Sequence, residues 1–171
     1  MNSVSLLRSP VLEAGIGDIL VPGYVEPDVT LAVFHADYNF VYLELGGTFL
    51  ELATIETTGT MRLSLSAELA HPLDLDDGMA PAFASLREQC LDDTESGNCI
   101  EEVVVWGATE QGGDAVCSAL QFKLHNGQLL FIDPTYHFGI RIGGQTQRKI
   151  WEDNCPNLSE LSVDTVGSGH R

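Results

Sequence analysis

Apolar and polar residues alternate with period two over much of this chain, and glycine, proline, asparagine and aspartate interrupt the alternation at short intervals. The clearest passage runs from Ala115 to Gly144. Its apolar run from Ala119 to Leu124 meets Asn126-Gly127, and a second run follows from Leu129 to Ile132. Asn-Gly between two such runs predicts a hairpin, because both central residues of a type I′ turn need positive φ. Asp133-Pro134 is expected to break the second strand, since proline has no N–H to give a ladder. His137 to Ile142 predicts a third strand, stopped by Gly143-Gly144. The outcome is a meander of three antiparallel strands onto which the earlier segments are laid.

Upstream, one short strand is expected near Asp18 to Val21, and Asp28 to Ala36 reads as a strand rich in β-branched and aromatic residues. Tyr38 to Leu45 and Thr48 to Ile55 form a hairpin turned at Gly46-Gly47, with Glu44 and Glu51 at polar positions of the alternation. Met61 to Leu69 alternates again and is ended by Pro72. Met79, Phe83, Leu86 and Cys90 recur at spacings of three and four. This predicts a helix from about Met79 to Leu91, capped by Asp76 or Asp77, with Pro81 in its first turn. Asp92 to Asn98 reads as an acidic loop, and Glu101 to Ala108 as a buried strand. Beyond Gly144 the chain turns polar, with a strand end at Ile150-Trp151.

Residues 159–171 hold no sustained period and are expected to be a loose tail. Residues 1–158 then make a single globular domain. The fold class is α+β: a β-rich, curved antiparallel sheet of about seven to eight strands with one main helix.

Charge changes the picture more than composition does. The chain has 171 residues, with 8 Lys and Arg against 25 Asp and Glu, a net charge of −17. Such a surface repels nucleic acid and anionic membrane and attracts basic proteins, so binding to either of the former is excluded. The first 25 residues have neither the basic start nor the continuous apolar run of a secretory signal, and no span approaches membrane length. A cytoplasmic location is expected, with Cys90, Cys99, Cys117 and Cys155 as free thiols. Sequence alone leaves open whether Cys90 and Cys99 pair, and it does not give the oligomeric state.

No spacing supports catalysis. His35 with Asp37, and Asp133 with Tyr136 and His137, are too sparse for a metal centre, and no metal or other cofactor is expected. Cys117 with His137 would serve a small cysteine hydrolase, but a catalytic thiolate needs an electropositive setting that an acidic strand does not supply. Gly46-Gly47, Gly112-Gly113 and Gly143-Gly144 read as turns, none opening a helix as a phosphate loop must. The chain is therefore not expected to be an enzyme. A small-ligand carrier is the alternative, its curved sheet closing on a pocket lined by Phe34, Phe40, Tyr42, Phe122 and Phe138.

The remaining signal is the distribution of acids. From Glu68 to Glu102 there are many carboxylates and one base, Arg87, whereas Ala115 to Gly144 holds a single acid, Asp133. Asp74, Asp76, Asp77, Asp92, Asp93 and Glu95 are the candidate residues of a docking face for a basic partner. In size, charge and texture the whole chain resembles bacterial immunity proteins, the antitoxins of contact-dependent inhibition, type VI secretion and other polymorphic toxin systems. That resemblance implies tight binding of a cognate toxin domain and occlusion of its active site. Many such toxins are nucleases, whose basic grooves an acidic face would fit.

Overall fold

The structure, a computed structural model, describes residues 14–26, 31–55, 58–92, 98–111, 114–155 and 157–164. It is β-rich α+β, with thirteen strands and two helices among the described residues. The first strands are β1 (Asp18–Val25), β2 (Phe34–Ala36), β3 (Phe40–Leu45), β4 (Thr48–Ile55), β5 (Thr60–Ser66) and β6 (Ala80–Ser85). A short helix α1 (Arg87–Cys90) precedes β7 (Ile100–Trp106), β8 (Thr109–Gln111), β9 (Asp114–Cys117), β10 (Ala119–Leu124), β11 (Leu129–Tyr136) and β12 (Gly139–Gly143). Helix α2 (Gln145–Asn154) and β13 (Glu160–Asp164) follow.

Two antiparallel sheets result. Eight strands form the first, in the order β2-β1-β3-β4-β5-β9-β8, with β6 pairing the free side of β1. Five form the second, in the order β12-β11-β10-β7-β13. Alternation decides which side chains meet between them. Ile19, Val41, Leu43, Leu50, Leu52 and Leu63 of the first sheet share one core with Val103, Val105, Leu120, Phe122 and Ile132 of the second. The residues between those in sequence point the other way, so each sheet has an outer face to cover.

On the second sheet that cover is α2. Trp151 sits against Trp106, Phe131, Val104 and Ala119 as a second, smaller core. The expected strand end at Ile150-Trp151 is thus replaced by the main helix of the fold. Arg148 shows why: its guanidinium reaches Glu152 one turn on, the Gln121 side chain on β10, and the face of Trp106 at 5.1 Å. A helix that is polar in sequence is held by one tryptophan and one arginine rather than by an apolar stripe.

The expected helix over Met79 to Leu91 is likewise replaced. Ala80–Ser85 pairs with β1 from Val25 to Leu20 in unbroken register, and only the last turn, Arg87–Cys90, is helical. Six ladder residues outweigh the three-and-four spacing, and Pro81 is tolerated because β6 is an edge strand. Strand β11 also continues through Pro134, with a bulge between Asp133 and Tyr136 in place of the expected break. Of the expected tail, Glu160–Asp164 pairs with β7 as β13, and residues 165–171 lie outside the described residues. The expected strand from Asp28 is reduced to Phe34–Ala36, with residues 27–30 outside the described set.

Candidate functional site

Residues 67–79 link β5 to β6 across the outer face of the first sheet. Ser66 starts this strap: its hydroxyl accepts from the Glu68 N–H at 3.1 Å and donates to the Glu68 carbonyl. The Tyr42 hydroxyl donates to the Ala70 carbonyl, fastening the strap over β3. One residue on, His71 Nε2 lies 2.8 Å from the Gly23 carbonyl of β1, and its ring meets Phe83 of β6 edge-on. Phe83 in turn meets the Tyr42 ring at 5.8 Å. Burial beneath the strap and the neighbouring Glu51 carboxylate push the Tyr42 hydroxyl well above the usual tyrosine range. The strap is therefore a fixed element, held at three strands.

Its outward side is acidic. Glu68, Asp74, Asp76 and Asp77 are exposed, and no base among the described residues pairs with them. A turn at Asp76, closed by the Met79 N–H and by Gly78 at φ +93°, directs the chain into β6. Asp74, Asp76 and Asp77 thus sit together at the start of β6. Asp92 does not join them. Its N–H donates to Gln128 Oε1 beside the β10–β11 turn, beyond the far end of β6, which alone spans roughly 20 Å at about 3.3 Å per residue. Asp93 and Glu95 lie outside the described residues. Glu68 is the strap carboxylate missing from the sequence-derived set, and only the path of the strap over the sheet could have added it.

The other candidate chemistry is dispersed. Cys117 is fully buried in the inter-sheet core, where burial holds its thiol far above the usual 9.0. His137 lies exposed in the β11–β12 turn. His35 stacks on Tyr24 at 4.8 Å, and Asp37 instead accepts from the Asn39 side chain, so the two act separately. The aromatic residues expected to line one pocket do not: Phe122 is packed between the sheets, Tyr42 faces the strap, and Phe138 is exposed. Gly143-Gly144, in contrast to the expectation of a plain turn, opens helix α2, with Gly144 at its N-cap. The cavity of about 450 Å³ in front of it carries Asp92 and no base on its wall among the described residues, which is the wrong charge for phosphate.

Asp133 is the one fully buried carboxylate among the described residues. It accepts from the Thr135 N–H at 3.1 Å and from the Thr135 hydroxyl, from Gln147 of α2 at 2.8 Å and from Arg141 of β12 at 3.3 Å. This network ties β12 and α2 to the bulge in β11. Beside it, between β12, α1 and the β2–β3 link, lies a second and more apolar cavity of about 570 Å³. Compared with protein-family models, curated proteins and solved structures, the chain matches none. No helix among the described residues is long and apolar enough to cross a membrane.

Proposed function

We propose that this protein is an immunity protein, an antitoxin that binds a cognate basic toxin domain and blocks its active site. The observation that carries the reading is the strap: Asp74, Asp76 and Asp77 are exposed, clustered, and paired with no base among the described residues. Carboxylates that stabilise a fold are usually paired or hydrogen-bonded, as Asp133 is. Carboxylates held out on a rigid element with no partner raise the rate of encounter with a basic surface and reject acidic ones. A toxin groove built to receive phosphates would find the strap complementary. On this reading the protein acts by blockade in the cytoplasm and performs no chemistry of its own. The strap is the principal contact, and Asp92 is at most a separate, peripheral one.

The test is capture of the partner from native lysate by the tagged protein at low and moderate salt, with the triple variant Asp74→Lys, Asp76→Lys, Asp77→Lys beside it. The wild type is expected to retain one stoichiometric basic protein at moderate salt, and the triple variant to lose it while unfolding at an unchanged temperature. Equal retention by the triple variant would remove the strap from the interface. Asp92→Lys is expected to weaken retention much less.

A further inference from the structure

A second surface of the molecule is suited to a different kind of ligand, and it stands independently of the strap. The cavity of about 570 Å³ is within the range that holds a small molecule, and its walls are predominantly apolar. Leu86, Ile140 and Ile142 form its floor and sides, and the exposed rings of Tyr38 and Phe138 stand at its rim. The position is rigid. The Ile140 N–H donates to the Tyr38 carbonyl at 2.7 Å, so the edge of the second sheet is bonded to the β2–β3 link of the first. Gly139 makes that approach possible: a Cβ there would fall 2.3 Å from the Tyr38 oxygen.

The polar groups on this wall identify the head group. Arg141 is its one charged residue among the described residues, and Arg141 is already balanced by the buried carboxylate of Asp133 at 3.3 Å. An anion therefore meets little net positive charge locally and is repelled by a protein of net charge −17. A cation finds no carboxylate among the described lining residues, because Asp133 is fully buried and engaged with Arg141. An uncharged polar head suits the site: Arg141 and Gln147 both line it, and each is engaged through a side-chain nitrogen with Asp133, so the wall offers polar groups without an unbalanced charge. Cys90 also lines the cavity, and burial raises its thiol above the ordinary range, so it adds no negative charge to this wall at neutral pH.

We infer that this cavity binds an uncharged amphipathic small molecule, an alkyl or acyl chain ending in one hydroxyl or amide head, with the chain on Leu86, Ile140 and Ile142 and the head at Arg141 and Gln147. The test is a titration of ¹⁵N-labelled protein with 1-octanol, octanoate and octylammonium, read by amide chemical shifts. Octanol is expected to give saturable shifts confined to residues around Leu86, Tyr38, Ile140 and Ile142, with octanoate and octylammonium at least tenfold weaker. Ala36→Trp, at an exposed position on the cavity wall, is expected to lower octanol affinity at least tenfold while leaving amide shifts elsewhere in place. Shifts that do not saturate, or that Ala36→Trp leaves unchanged, would overturn the site. Equal binding of octanoate or octylammonium would overturn the assignment of an uncharged head.

Discussion

Replacing Trp151 by alanine tests whether the second sheet depends on the helix laid over it. Trp151 is the one buried residue of α2, 2% exposed, and its ring lies 5.7 Å from Trp106 and 5.5 Å from Phe131. Truncating a buried tryptophan costs about 3–5 kcal/mol, and the two ring contacts place this position toward the upper part of that range. The loss also acts on the helix itself. Ten residues are too few for a helix to be stable alone in water, so α2 exists because it is docked. With about 4 kcal/mol lost and about 2–4 °C per kcal/mol for a chain of this size, the unfolding midpoint is expected to fall by about 8–16 °C. Ile150→Ala, one residue away but 48% exposed, is the control and should change stability by no more than about 0.5 kcal/mol. Urea unfolding followed by tryptophan fluorescence and by circular dichroism measures both. A loss below about 1 kcal/mol for Trp151→Ala, or equal effects at the two positions, would refute the docked helix as the cover of this face.

Asp133→Asn keeps the shape of the side chain but removes the charge that Arg141 and Gln147 face, and it is expected to cost about 2–4 kcal/mol in urea unfolding. The magnitude is held below that of a fully buried pair because Arg141 is 33% exposed and can turn to water. Thiol titration of the native protein with a disulfide reagent should modify Cys99 fast and Cys117 only at the rate of unfolding, since Cys99 is exposed and Cys117 is in the core. The same burial gives a pH dependence. Cys117 is neutral in the fold above the usual 9.0 at which the unfolded chain ionises, so the unfolded state binds fewer protons and stability falls as pH rises past about 9. Cys117→Val should reduce that alkaline slope by up to about 1.4 kcal/mol per pH unit, measured by urea unfolding between pH 8 and pH 10.

The strands that were legible in the sequence are those whose alternation is uninterrupted and whose turn chemistry is local. The hairpins at Gly46-Gly47 and Asn126-Gly127 are of this kind: Gly46 and Gly47 both take positive φ, whereas in the second turn Gly127 does and Asn126 does not, so that hairpin forms as expected but not through the expected type I′ turn. The elements that were not legible are set by partners distant in the chain. Met79 to Leu91 carries a helical spacing, and β1, more than fifty residues upstream, pairs with it as a strand instead. Trp151 carries no local pattern at all; it becomes helical and buried because Trp106 and Phe131 leave an apolar face that nothing else among the described residues covers. The same holds for the two-sheet arrangement. Alternation says that each strand has an inner and an outer face, but not which strands share a sheet.

The candidate site divides along the same line. That acids crowd the segment around β6 is a property of composition and could be read directly. That Asp74, Asp76 and Asp77 belong together while Asp92 stands apart depends on β6 being a strand, because an extended segment separates its ends far more than a helix of equal length would. The apolar cavity was beyond reach for a stronger reason. Its walls come from β2, α1, β12 and α2, and the residue that defines its polarity, Arg141, is informative only through its pairing with Asp133. Salt separates the two surfaces functionally. Capture of a basic partner by the strap should weaken steeply as ionic strength rises, whereas an uncharged ligand against Leu86 and Ile142 should bind with nearly the same affinity at low and high salt.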